Sequence, residues 1–74
     1  METSYSQPTE LWTLTRGAEI ARAVFVPHKI LSTLVVFRNG NVDSVEDVSE
    51  WTAAIECAEA MRRLLLDQGW QERG

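Results

Sequence analysis

Hydrophobic and polar positions follow a strand-like pattern in the first half of the chain and recur at helical spacing in the second. From Glu10 the texture is β-prone: Leu11-Trp-Thr-Leu-Thr-Arg16, then Gly17-Ala18, then Glu19-Ile-Ala-Arg-Ala-Val-Phe-Val26. Thr, Trp, Val, Ile and Phe suit a pleated, half-buried surface, and a glycine between two such runs supplies a permissive turn position. The pattern predicts a hairpin, although Ala18 to Ala23 also fits a helical turn by propensity. Pro27 ends the second run because it has no N–H to donate to a ladder. The next run, Ile30-Leu-Ser-Thr-Leu-Val-Val-Phe37, is apolar at both parities. Leu31, Val35 and Phe37 fall on one face and Ile30, Leu34 and Val36 on the other, so this strand requires cover on both sides.

Asn39-Gly40 predicts a type I′ hairpin turn, whose two central residues both need positive φ. That turn sets Phe37 opposite Val42 and Val35 opposite Ser44. The last strand, Asn41 to Val45, is then short, and Asp43 on it suits a sheet edge.

A helix is predicted from near Asp47, which with Glu50 has the spacing of a capping box, while Glu46 and Asp47 oppose the positive end of the helix dipole. At 100° per residue Ala54, Ala58, Met61 and Leu65 run down the middle of an apolar stripe. Trp51, Ile55 and Leu66 flank it on one side, Cys57 and Leu64 on the other. The arc spans about 200°, roughly twice what packing on one sheet requires. Gly69 suits the left-handed position after the helix, and Trp70 is placed to fold back onto Leu65 in a Schellman arrangement.

Strands followed by a single helix define an α+β domain, a three- to four-stranded antiparallel meander with one C-terminal helix packed on it. Residues 1–9 read as a flexible tail, 10–70 as the domain, and 71–74 as a frayed end.

Length sharpens this picture. A chain of 74 residues has one small core, which rarely supplies more than about 3–5 kcal/mol, so such domains lean on disulfides, a metal or a partner subunit. Cys57 is the only cysteine and His28 the only histidine, which rules out an intrachain disulfide and a Cys/His zinc cluster. No cofactor is expected. A homodimer is, and the candidate interface residues are Trp12, Leu14, Leu34 and Val36 from the strands with Ile55, Leu64 and Leu66 from the helix. No apolar run approaches the roughly 18–20 residues of a membrane span. The start lacks the basic and apolar regions of a signal peptide, so a cytoplasmic setting with a reduced thiol is expected.

Catalytic chemistry is thinly represented. His28 sits in a Pro-His-Lys turn without a nucleophile nearby in sequence. Cys57 lies on the apolar flank, where a thiol behaves as a small hydrophobe, and the adjacent Glu56 disfavours its thiolate. The acids match no EF-hand spacing. With no glycine-rich phosphate loop or nucleophile motif either, an enzyme is not expected.

Charge is segregated. Between Leu11 and Arg38 four cations face Glu19 alone, whereas between Asn39 and Met61 six acids stand with no Lys or Arg. The function expected is therefore that of a non-enzymatic interaction or regulatory module. Its acidic surface, Asp43, Glu46, Asp47, Glu50, Glu56 and Glu59, would face a basic protein partner. The alternative is a nucleic-acid-binding domain using Arg16, Arg22 and Arg38 on the sheet. A net charge of −4 counts against it, because phosphate binding needs a clustered positive face.

Overall fold

The computed structural model describes residues 7–73. Strands β1 (Thr9–Arg16), β2 (Glu19–Val26), β3 (Ser32–Arg38) and β4 (Asn41–Val48) form an antiparallel meander. Helix α1 (Trp51–Asp67) then crosses one face, and a two-residue strand β5 (Gln71–Glu72) closes the chain against β1. The sheet order is β4-β3-β2-β1-β5. The architecture is the α+β meander with a C-terminal helix that the residue pattern predicts. Ala18 to Ala23 resolves as turn and strand, because Ala21 and Ala23 are wholly buried at the period of 2 that a strand imposes.

Turn chemistry sets the hairpins. Gly17 has φ +61° between Arg16 and Glu19, and positive φ at the first central residue alone is the signature of a type II′ turn. Asn39 and Gly40 have φ +56° and +86°, as type I′ requires. Asn39 also ties the two hairpins together. Its backbone N–H donates to the Ile20 carbonyl at 2.8 Å, and its side-chain oxygen accepts from the Ile20 N–H at 2.9 Å, continuing the β2–β3 ladder by one step.

One face of the sheet and one stripe of the helix make the core. It contains Trp12, Leu14, Ala21, Ala23, Phe25, Leu34, Val36 and Val48 from the strands, with Ala54, Ala58, Leu65 and Trp70 from the helix and its exit. The Trp12 indole N–H donates to the Ala58 carbonyl across 2.8 Å, which fixes the helix over β1 and satisfies a buried donor.

Four details depart from the sequence expectations. The β3–β4 ladder carries a bulge between Val36 and Phe37, so Val35 lies opposite Val45 while Val36 takes Ser44. The extra residue, Asp43, shifts every later side chain of β4 to the opposite face from an unbulged register. β4 also runs to Val48, which is buried. Asp47 is therefore paired with Thr33 in the ladder and forms no capping box, and the N-cap is Glu50, whose side chain makes no capping hydrogen bond. Ile30 and Leu31 precede β3 in the connection rather than belonging to it, and Ile30 is 90% exposed. Finally, Gln71 and Glu72 do not fray but pair with Thr15 and Leu14, and the Arg73 N–H donates to the Thr13 carbonyl. Of the tail expected over residues 1–9, residues 1–6 lie outside the described residues, and Thr9 opens β1.

The helix exit follows its expectation. Gly69 has φ +97°, its N–H donates to the Leu66 carbonyl, and the Trp70 N–H donates to the Leu65 carbonyl, both at 3.1 Å. This is the Schellman pair of bonds, and it folds Trp70 into the core at 2% exposure.

Two substitutions at the helix ends should act in opposite directions. Gly69→Ala meets only the Arg16 Cδ at 3.8 Å, so its cost is the left-handed backbone, about 1 kcal/mol. Glu50→Asp keeps the charge while shortening the side chain to a length that caps, for a gain of about 0.5–1 kcal/mol. Urea denaturation of both variants against the wild type measures each change.

Candidate interaction surfaces

The helix lies on one face of the sheet, so the alternate side chains of every strand point to a face that no other element covers. Cross-strand pairing places Val24, Val35 and Val45 in one row across β2, β3 and β4. Phe37 and Val42 form the neighbouring row, with the Arg22 guanidinium lying 5.4 Å from the Phe37 ring centroid. Ile20 and Val26 extend the patch at its two ends. Val42 and Val45 are 59% and 57% exposed. Val45 is there only because of the bulge at Asp43; in the expected register Ser44 would have occupied its place.

The residues expected to form an interface divide between core and surface. Trp12, Leu14, Leu34 and Val36 are buried inside the subunit, because their parity on the strands is the one facing the helix. Leu66 is partly buried against the same core. Ile55 and Leu64 are exposed on opposite flanks of α1, and Trp51 stands edge-on to Phe25 at 4.9 Å between ring centroids. The reading from sequence missed the row Val24, Val35 and Val45. Its signal was the double apolar parity of residues 30–37, which showed that a second face existed without showing which face the helix takes.

The three arginines point to different places. Arg16 and Arg38 lie on the helix side with their guanidinium carbons 4.9 and 5.4 Å from the Trp70 ring centroid, whereas Arg22 lies on the helix-free face over Phe37. Arg16 also donates to the Gln68 carbonyl at 3.1 Å, neutralising the negative end of the helix dipole. Each has a carboxylate of its own chain: Arg16 with Glu19 at 3.3 Å, Arg22 with Glu10 at 3.7 Å and Arg38 with Asp43 at 3.8 Å. These are solvent-exposed pairs of the kind worth about 0–1 kcal/mol. Trp70 Nε1 and Arg38 Nε are buried without a hydrogen-bond partner among the described residues.

The acids divide as sharply. Glu59 is held by Arg62 and Arg63 at 2.8 and 3.3 Å, and Glu72 by Arg62 at 2.6 Å. Glu46, Asp47, Glu50 and Glu56 form no ion pair among the described residues. The first three stand along the end of β4 and the entry to the helix, whereas Glu56 and Asp67, the other unpaired acids, are spread along α1, so the β4 rim holds the one cluster of uncompensated negative charge among the described residues.

His28 is an exposed residue of the β2–β3 connection. Among the described residues no group of three or more His, Cys, Asp or Glu is placed to hold a metal ion. No helix of the structure is long and apolar enough to cross a membrane. An open depression of about 650 Å³ lies at the β1–β2 side, where Arg22, Arg73, Glu10 and Glu72 are among its lining residues. Comparison of the chain with protein-family models, with curated proteins and with solved structures finds no match.

Cys57 donates its thiol to a Glu46 carboxylate oxygen at 3.2 Å. Its pKa is raised, first by burial and then by the hydrogen bond to Glu46 and the negative charge there. The carboxylate that adds to the effect of burial is thus Glu46 across the helix–sheet junction, not the adjacent Glu56. A raised pKa leaves less thiolate at any given pH, so alkylation is slowed. Iodoacetamide trapping across pH 7–10 should show the half-maximal rate above that of an unstructured cysteine peptide. Glu46→Gln should move it part of the way back, since burial remains; an unchanged profile in that variant would contradict the assigned cause.

Proposed function

We propose that this protein is a non-enzymatic interaction or regulatory module that works as a homodimer and engages a basic protein through its acidic β4 rim. The observation that carries the reading is the division of its charges. Glu10, Glu19, Asp43, Glu59 and Glu72 each have an arginine, while Glu46, Asp47 and Glu50, neighbours along the end of β4 and the helix entry, have none among the described residues; Glu56 and Asp67 on the helix are the other unpaired acids. Such a patch attracts cationic surfaces at long range and raises their association rate, an effect that salt screens. A cytoplasmic setting, where the thiol of Cys57 stays reduced, accords with this role.

The nucleic-acid alternative calls for Arg16, Arg22 and Arg38 on one exposed face. They divide between the two faces of the sheet and are engaged with Trp70, Phe37 and three carboxylates, so the geometry favours the protein partner.

The test is a capture experiment with the intact protein as bait, run beside the triple variant Glu46→Gln, Asp47→Asn, Glu50→Gln. Strongly basic proteins should be retained by the wild type, lost at about 0.5 M salt, where the Debye length falls to a few ångströms, and lost with the variant. Retention of the same proteins by both baits, or a DNA column that retards the wild type at low salt, would contradict the proposal.

A further inference from the structure

We propose that a second copy of this chain covers the helix-free face of the sheet, the two sheets packing face to face with one helix on each outer side. This rests on the homodimer reading above and names the surface it uses.

Size is the first argument. With strands about 4.8 Å apart and a rise of about 3.3 Å per residue, four strands of this length present a face of roughly 20 by 25 Å. That is on the order of 500 Å² per copy and 1,000 Å² for the pair before side-chain relief is counted, the area at which specific association begins. The row Val24, Val35, Val45 and the row Phe37, Val42 make the middle of this face apolar from β2 to the β4 edge. An exposed apolar patch of this kind, rimmed by the polar groups Glu10, Arg22, Thr33 and Asp47, marks an interaction site.

Charge chooses the occupant. The chain carries −4 overall, so two copies repel unless they meet where acids are few. The helix-free face bears Arg22 over the Phe37 ring, offset by its ion pair with Glu10, and Asp47 near the end of β4, so its charges nearly cancel. Edge-to-edge pairing of β4 with itself would instead bring Asp43, Glu46 and Asp47 of both copies together, an arrangement in which like charges oppose and which acidic edges prevent. A partner drawn by the acidic rim binds at the rim and leaves this face uncovered.

The bulge at Asp43 serves both ends. It carries Val45 onto the apolar face and twists the edge strand away from continued pairing. Face-to-face packing of two twisted sheets, about 10 Å apart, buries such a surface without using either edge.

Sedimentation equilibrium of the full chain between 1 and 50 µM tests this, with Val42→Lys, Val45→Lys and Leu64→Lys in parallel. All three positions are 57–59% exposed, so the subunit fold should tolerate each change, which circular dichroism of each variant checks. Wild type should sediment at twice the chain mass of 8.4 kDa. Val42→Lys and Val45→Lys should each weaken association at least ten-fold, and Leu64→Lys, on the helix flank, should leave it unchanged. A wild-type monomer throughout that range overturns the homodimer reading and this inference together. A dimer that survives both valine variants but dissociates with Leu64→Lys overturns the surface assignment alone.

Discussion

One helix covers one face of a sheet, and most of this molecule follows from that geometric limit. Helix α1 has 17 residues, about 25 Å of length at 1.5 Å per residue, enough to run across the meander but too narrow to wrap it. The residues beneath it are graded in size. Ala21 and Ala23 in β2 are wholly buried beneath the helix side of the sheet. Trp12, Leu14, Phe25 and Leu34 fill the space around them. The Trp12 bond to the Ala58 carbonyl then sets the helix at one height and one azimuth. The opposite face receives no such cover, and its valines and Phe37 are the consequence.

The end of the helix returns the chain to the strand where the sheet began. The Schellman turn at Gly69 drives Trp70 inward, Arg16 and Arg38 close over its ring, and Gln71–Glu72 add a short strand beside β1. Arg16 is thereby helix cap, aromatic cover and partner of Glu19 at once. A small domain whose core is limited gains from such closure, because both ends of the described chain are tied to the same strand.

Much of the fold was legible before the structure. Asn39-Gly40, the Gly17 turn and Gly69-Trp70 are positions where backbone conformation leaves little choice, and all three form as their residue types dictate. What the sequence left open was decided by relations between elements. A bulge inserts one residue without a local signature strong enough to announce it, so the partner of Val35 changed from Ser44 to Val45. The capping box failed because Val48 found a buried site in β4 and drew Asp47 into the ladder. Gln71–Glu72 formed a strand because the Schellman turn delivered them to a free edge, a long-range effect invisible in two polar residues. The candidate interface was half legible: two apolar parities were apparent in residues 30–37, but Leu34 and Val36 could be separated from Val35 and Phe37 only once the helix had taken a side.

In the proposed dimer the uncovered valine face meets its own copy. Isotope-filtered NOE spectroscopy on an equimolar mixture of ¹³C-labelled and unlabelled chains reads this contact directly. Intermolecular cross-peaks are expected from the methyl groups of Val24, Val35 and Val45 to protons of the unlabelled chain, including the Phe37 ring. Intermolecular cross-peaks confined to Ile55, Leu64 or other helix residues, or none at millimolar concentration, would contradict it.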